Sequence, residues 1–295
     1  MLNLLKSDVY RLVHGKKLWV GAAVVVVMAL AVAGMAWWIA TPQFADMVNA
    51  SIGQPDGADL AVSGDEPAAP LNEAVMDSFT HTVDQVLVGT GILTVLVSVL
   101  AGRVALDDFS SRFVQSVFTV RRSRWDYYAE KLLLAAMLAA AFTLLADGAV
   151  AAAFALFGFS YDVVQPIGEI ALWTVLVWLV TTAFTWLSCV VAWLTRSKGA
   201  LDAWAVLVST TFLGSMVQFL CTTFGVGVPL LENLPNFLLS NCVVLLSTQG
   251  LGLVETYPLL LAPSVGIAGW VSIVSALWLV AAAAVTFVAC RRKDA

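Results

Sequence analysis

The sequence predicts an all-α polytopic membrane protein. It would have six transmembrane helices and an N-terminal interfacial helix. A cytoplasmic coupling helix would lie between spans 2 and 3, and a re-entrant or interfacial segment between spans 5 and 6. Three observations carry this expectation. Of the 295 residues, 60% are hydrophobic and 12% are charged, with a mean hydropathy of +0.90, whereas a soluble domain is about 25% charged. The apolar runs are continuous and near 20 residues long, which suits helices rather than the alternating strands of a barrel. Lysine and arginine are confined to four places: the N-terminus, Arg103 to Lys131, Arg196 with Lys198, and the C-terminal tail.

The first element, residues 1–17, places Leu2, Leu5, Val9 and Leu12 at helical spacing with Lys6, Arg11, Lys16 and Lys17 around them. Such a helix lies in the membrane interface. Leu18–Ala40 is the first span, framed by Trp19 and Trp37–Trp38 and ended by Pro42. It is too long for a signal-peptide core, so an uncleaved span is expected. Residues 41–85 form an outer loop rich in Pro, Gly, Asp and Ser, and from Leu71 its helical periodicity predicts an amphipathic helix leading into the second span at 86–106.

A charged stretch, 107–131, separates that span from the third at 132–159. Within it Phe109, Phe113, Val117 and Val120 form one apolar face of a short helix. Arg121, Arg122 and Arg124, with Trp125, Tyr127 and Tyr128, suit re-entry through an anionic headgroup layer. The fourth and fifth spans are 170–194 and 203–228, and the sixth is 265–290. Between the last two, the apolar run Phe237–Ser247 covers about three turns, too short to cross a bilayer.

Charge sets the orientation. Segments 41–102, 132–195 and 199–290 contain no Lys or Arg. With six spans every basic cluster falls on one side, which the positive-inside rule makes cytoplasmic, together with both termini. A seventh span would send Arg291, Arg292 and Lys293 outside and break the pattern.

The chemistry of common enzymes is missing. There is no GxxxxGK[ST] phosphate loop, so the chain is not expected to hydrolyse ATP, and no HExxH, GxSxG or CxxC occurs. The two histidines, His14 and His81, and the four cysteines show no metal-ligand spacing. No catalytic residue, metal, cofactor or nucleic-acid partner is expected. Asp147, in the third span, is the one ionisable group well inside a run. Charge in hydrocarbon costs about 2.5 kcal/mol or more, so it lines a pathway, bonds across a subunit interface, or caps a helix break near the outer face.

The layout and the short pattern Asp108-Phe109 followed by Arg124, Tyr127, Tyr128 and Lys131 resemble permease subunits of type-2 ABC exporters. The nearest branch is that of bacitracin and lantibiotic export and immunity. The N-terminal LLKSDVYRLVHGKKLWV and the basic ending are similar as well, while Ser111 and Gln115 stand where that family often has Gly and Lys. The resemblance implies a single permease domain over residues 1–295, embedded in lipid and paired with a second permease copy or paralogue. It implies an ABC ATPase subunit docking on the coupling stretch, through Asp108, Phe109, Arg112, Phe113, Gln115, Arg121, Arg122 and Arg124. It implies export of a peptide, antibiotic or lipid-like substrate. A membrane scaffold without transport is the alternative reading of the same layout.

Overall fold

A computed structural model describes residues 2–41, 43–44, 75–110, 125–210, 212–224, 228, 231, 233–248 and 266–292. Most of the outer loop, residues 111–124 of the charged stretch and most of the segment before the last helix lie outside these. The described chain is helical apart from two short strands, and it fits a polytopic membrane protein. Among the described residues, four helices are long and apolar enough to cross a membrane, or up to six if each of two bent pairs counts as one span.

Helix α1 (Leu2–Val13) turns at His14–Gly15 into α2 (Lys16–Ile39). The turn is tight: a side chain on Gly15 would lie 2.9 Å from the Arg11 carbonyl oxygen. Within the described residues, the predicted amphipathic helix before the second span is helical only from Phe79 onward. Val75–Ser78 is instead a strand, β1, paired in parallel with β2 (Ser160–Val163). Ser78 then caps α3 (Phe79–Val83) by accepting the His81 amide, and Gln165 exchanges two hydrogen bonds with Thr80. A two-stranded ribbon is marginal alone; here its neighbours hold it, which local periodicity does not reveal.

The stretch predicted as the second span is a bent helix pair rather than one continuous helix. A π-helical turn, Asp84–Val88, follows α3, and the chain breaks at Gly89–Gly91 before α4 (Ile92–Ser110), with a bend of 53°. The stretch predicted as the fifth span is likewise split, into α7 (Lys198–Ser209) and α8 (Phe212–Phe224), bent by 57°. The two breaks touch. Gly91 has φ +73°, and a side chain there would meet the Ser209 carbonyl oxygen at 2.3 Å. Only glycine allows this backbone conformation and this approach together. Both predicted spans ran through these points because the surrounding residues are uniformly apolar.

Helix α5 (Trp125–Leu156) is the longest, and it closes at Gly158, φ +78°, with the Phe159 amide donating to the Phe154 carbonyl. That 6→1 bond is a Schellman ending. Helix α6 (Ile167–Thr195) is the axis of the bundle, with 67% of its most apolar window buried. Its tryptophans fasten it to α5: Trp178 Nε1 donates to the Ala136 carbonyl at 3.0 Å and Trp186 Nε1 to that of Leu132 at 2.9 Å. Helix α9 (Leu239–Thr248) has 10 residues, about 15 Å of length, half of what a crossing needs. Cys242, Val243, Leu245 and Leu246 on it are buried in the bundle. The last helix, α10 (Gly266–Arg292), is tied to the turn before α9 by Trp270 and Trp278, which donate to the carbonyls of Asn236 and Phe237.

Candidate functional site: a buried charge network

Two predicted spans extend into the charged stretch. Helix α4 runs on past Leu106 to Ser110, and α5 begins at Trp125 rather than at Leu132. Of the stretch 107–131, only 111–124 remains between helices outside the described residues. Charged residues can continue these helices because they find partners within the bundle.

The centre of the network is Lys131, whose side chain is 2% exposed. Its ammonium donates to Asp8 on α1, and to Asp108 Oδ2 on α4 at 2.5 Å. Arg11 of α1 donates to the other oxygen of Asp108, Oδ1, at 2.6 Å, and Tyr127 Oη donates to Oδ2 at 3.2 Å. Asp108 therefore accepts from three side chains on two other helices, α1 and α5. The carboxylate beside Arg11 raises the guanidinium's pKa above its ordinary value. Glu130 is also buried, with Lys131, Asp8 and Asp108 as its charged neighbours.

Each member continues an apolar face into the basic end. Asp8 falls between Leu5 and Leu12 on the stripe of α1, and Lys131 lies one turn before the buried Ala135. Asp108 lies on the buried face that Ala101, Val104 and Ala105 begin. An isolated charge on such a face is costly, whereas paired and hydrogen-bonded charges offset each other's desolvation. The lock thus joins α1, α4 and α5 where the chain enters and leaves 111–124.

A second, more exposed layer surrounds it. Lys17 of α2 pairs with Asp107, which Lys198 of α7 approaches at 3.4 Å. Arg103 of α4 makes a two-pronged contact with Asp202 of α7, at 2.6 and 3.3 Å. Aromatic rings fill the gaps: Phe109 stands edge-on to Tyr127 at 6.4 Å, under the Arg196 guanidinium at 5.5 Å. Trp125 stacks on Phe287 of α10 at 3.8 Å. One end of the bundle thus gathers α1, α2, α4, α5, α7 and α10.

Of the residues predicted to face a partner, Asp108 is 0% exposed and Phe109 is partly buried against the core. They are internal anchors, because Arg11, Lys131 and Tyr127 draw the carboxylate inward. Arg112, Phe113, Gln115, Arg121, Arg122 and Arg124 lie outside the described residues. Sequence reasoning did not single out Asp8 or Glu130 as site residues and placed Arg11 only as a flank of the apolar stripe. The signal available was Asp8 itself, an acid on an otherwise apolar stripe.

Asp147 sits within the unbroken helix α5, not at a helix break, and accepts from Thr174 Oγ1 of α6 at 2.8 Å. It is a tie between two helices of the same chain. At the far end Asp84, 1% exposed, lies in the π-helical turn facing Ser247 of α9, where a side chain on Gly89 would come 2.9 Å from its carboxylate. Cys189, Cys221 and Cys242 are buried free thiols. Among the described residues no three His, Cys, Asp or Glu side chains gather as metal ligands.

Within the network the carboxylates of Asp8 and Asp108 are engaged by Arg11 and Lys131, and Glu130 is buried beside them. Its ion pairs join α1, α4 and α5 at one end of the bundle. Compared with known protein families, curated proteins and solved structures, the chain matches none.

Proposed function

We propose that this chain is the membrane-spanning permease subunit of an ABC-type exporter, powered by ATP hydrolysis on a separate subunit. One observation carries the reading. The helices on either side of 111–124 are joined to each other and to α1 through Asp8, Arg11, Asp108 and Lys131, all drawn together at one end of the bundle. A push on 111–124 therefore moves α1, α4 and α5 together. It reaches α2 and α7 through Asp107 and Asp202. A bundle that borrows mechanical work from a soluble engine needs such a rigid lever at its cytoplasmic face.

In this reading the basic end is cytoplasmic, the cargo is a peptide, antibiotic or lipid-like molecule, and two permeases pair around its path. Arg112, Phe113, Gln115, Arg121, Arg122 and Arg124 supply the docking surface, while Asp108 and Phe109 set its rigid footing. The test is purification of the tagged chain from its native membrane. An ATP-hydrolysing subunit should come with it, and Arg121→Glu/Arg122→Glu should reduce its recovery while leaving the permease folded. The reading fails if no such subunit is recovered, or if recovery survives scrambling of residues 111–120.

A further inference from the structure

Along one flank, α2, α4 and α7 leave a groove of about 650 Å³ that is open among the described residues. Its walls are apolar, formed by Val24, Leu96, Val99 and Val206, among others. Its floor at the basic end is cationic: Lys16, Lys17 and Arg103. Its other end is Thr90 and Thr210, where the two helix breaks meet. From Arg103 back to Ile92, the start of α4, is a helical rise of about 16 Å, half of the roughly 30 Å hydrocarbon core. The groove thus spans one leaflet and stops where the bent helices cross.

Its charges are not balanced. Asp107 answers Lys17 and Asp202 answers Arg103, but exposed Lys16 has no ion-pair partner among the described residues. One cation is left over at headgroup height, above an apolar slot as deep as an acyl chain is long.

We propose that this groove binds one anionic phospholipid of the leaflet at the basic end. The phosphate sits on Lys16, and an acyl chain lies along α4 up to Thr90. A second copy of the chain is the poorer occupant, because a two-fold interface presents the same patch from both sides. It would set Lys16, Lys17 and Arg103 against their own images. The inference does not depend on an ATPase partner.

The test places the full chain in discs of equal parts phosphatidylglycerol and phosphatidylcholine, releases it into mild detergent, and counts retained lipids by native mass spectrometry. The wild type should retain phosphatidylglycerol about fivefold over phosphatidylcholine, the share expected of one lysine at an anionic surface. Lys16→Gln should abolish the preference without lowering thermal stability, since the residue is exposed. Val206→Trp, or Val24→Trp on the opposite wall, should displace the retained lipid of either kind. Equal retention by the wild type, or a preference that survives Lys16→Gln, overturns the proposal. So does efficient cross-linking of two chains through Val20→Cys, which would show the groove covered by another copy.

Discussion

Replacing Lys131 by methionine isolates the contribution of the charge network. The substitution keeps an unbranched side chain of similar length and removes the ammonium. In the wild type that ammonium sits between Asp8 and Asp108, with side-chain exposures of 2%, 2% and 1%. Arg11 then remains against Asp8 and Asp108, reaching them at 3.6 and 2.6 Å, with buried Glu130 beside them. Removing one partner of a buried pair costs about 3–5 kcal/mol, because the remaining charge is stranded away from water. The expected change in the unfolding constant is therefore roughly two to four powers of ten. Lys17→Met is the matched control. Its pair with Asp107 is 56% and 32% exposed, and Lys198 remains near the same carboxylate. An exposed pair is worth about 0–1 kcal/mol. Reversible unfolding in a mild-detergent and dodecyl sulfate series, followed by tryptophan emission, measures both. Adding Asp8→Asn to Lys131→Met removes one stranded charge and should restore at least half of the loss. If Lys131→Met costs no more than Lys17→Met, the network is not what holds α1, α4 and α5 together.

Gly91→Ala should destabilise by more than about 2 kcal/mol, combining a left-handed backbone penalty of about 1–2 kcal/mol with the clash at Ser209, whereas Gly148→Ala should be neutral or stabilising because its site is open. The same unfolding series distinguishes them. Asp147→Asn should change stability by less than about 0.5 kcal/mol, since an amide oxygen still accepts from Thr174, and Asp147→Leu should cost about 1 kcal/mol. Equal losses for the two would mean that the charge itself matters there. In a cysteine-free background, an impermeant thiol reagent added to intact cells should label Asp59→Cys and Glu255→Cys but not Lys293→Cys; labelling of the last would mean an odd number of crossings. Arg103→Asp and Asp202→Arg should each weaken thermal stability slightly, and the double exchange should recover it, as a proximity check on α4 and α7.

Three of the long apolar helices were legible in the sequence because hydrocarbon permits little else. A continuous apolar run of about 20 residues must satisfy its own backbone, and helix is the local way to do so. Hence Lys16–Ile39, Ile167–Thr195 and Gly266–Arg292 lie within a few residues of the runs at 18–40, 170–194 and 265–290. The short run before the last helix also forms a helix too short to cross. The breaks at Gly91 and Thr210 were not legible as such. Each makes sense only beside the other, where a missing side chain on one helix admits the backbone of another.

The candidate site divides in the same way. The sequence marked 107–131 as charged and placed it between apolar runs, which is composition read along one line. It could not say which charges faced a partner and which faced inward. Asp108 is separated from Arg11 by 97 residues, and Lys131 from Asp8 by 123. A buried charge on a helix is tolerated when its partners arrive by folding. Hydropathy is a property of residues and was readable from the chain; electrostatic pairing is a property of distances, and only the packed bundle supplies those.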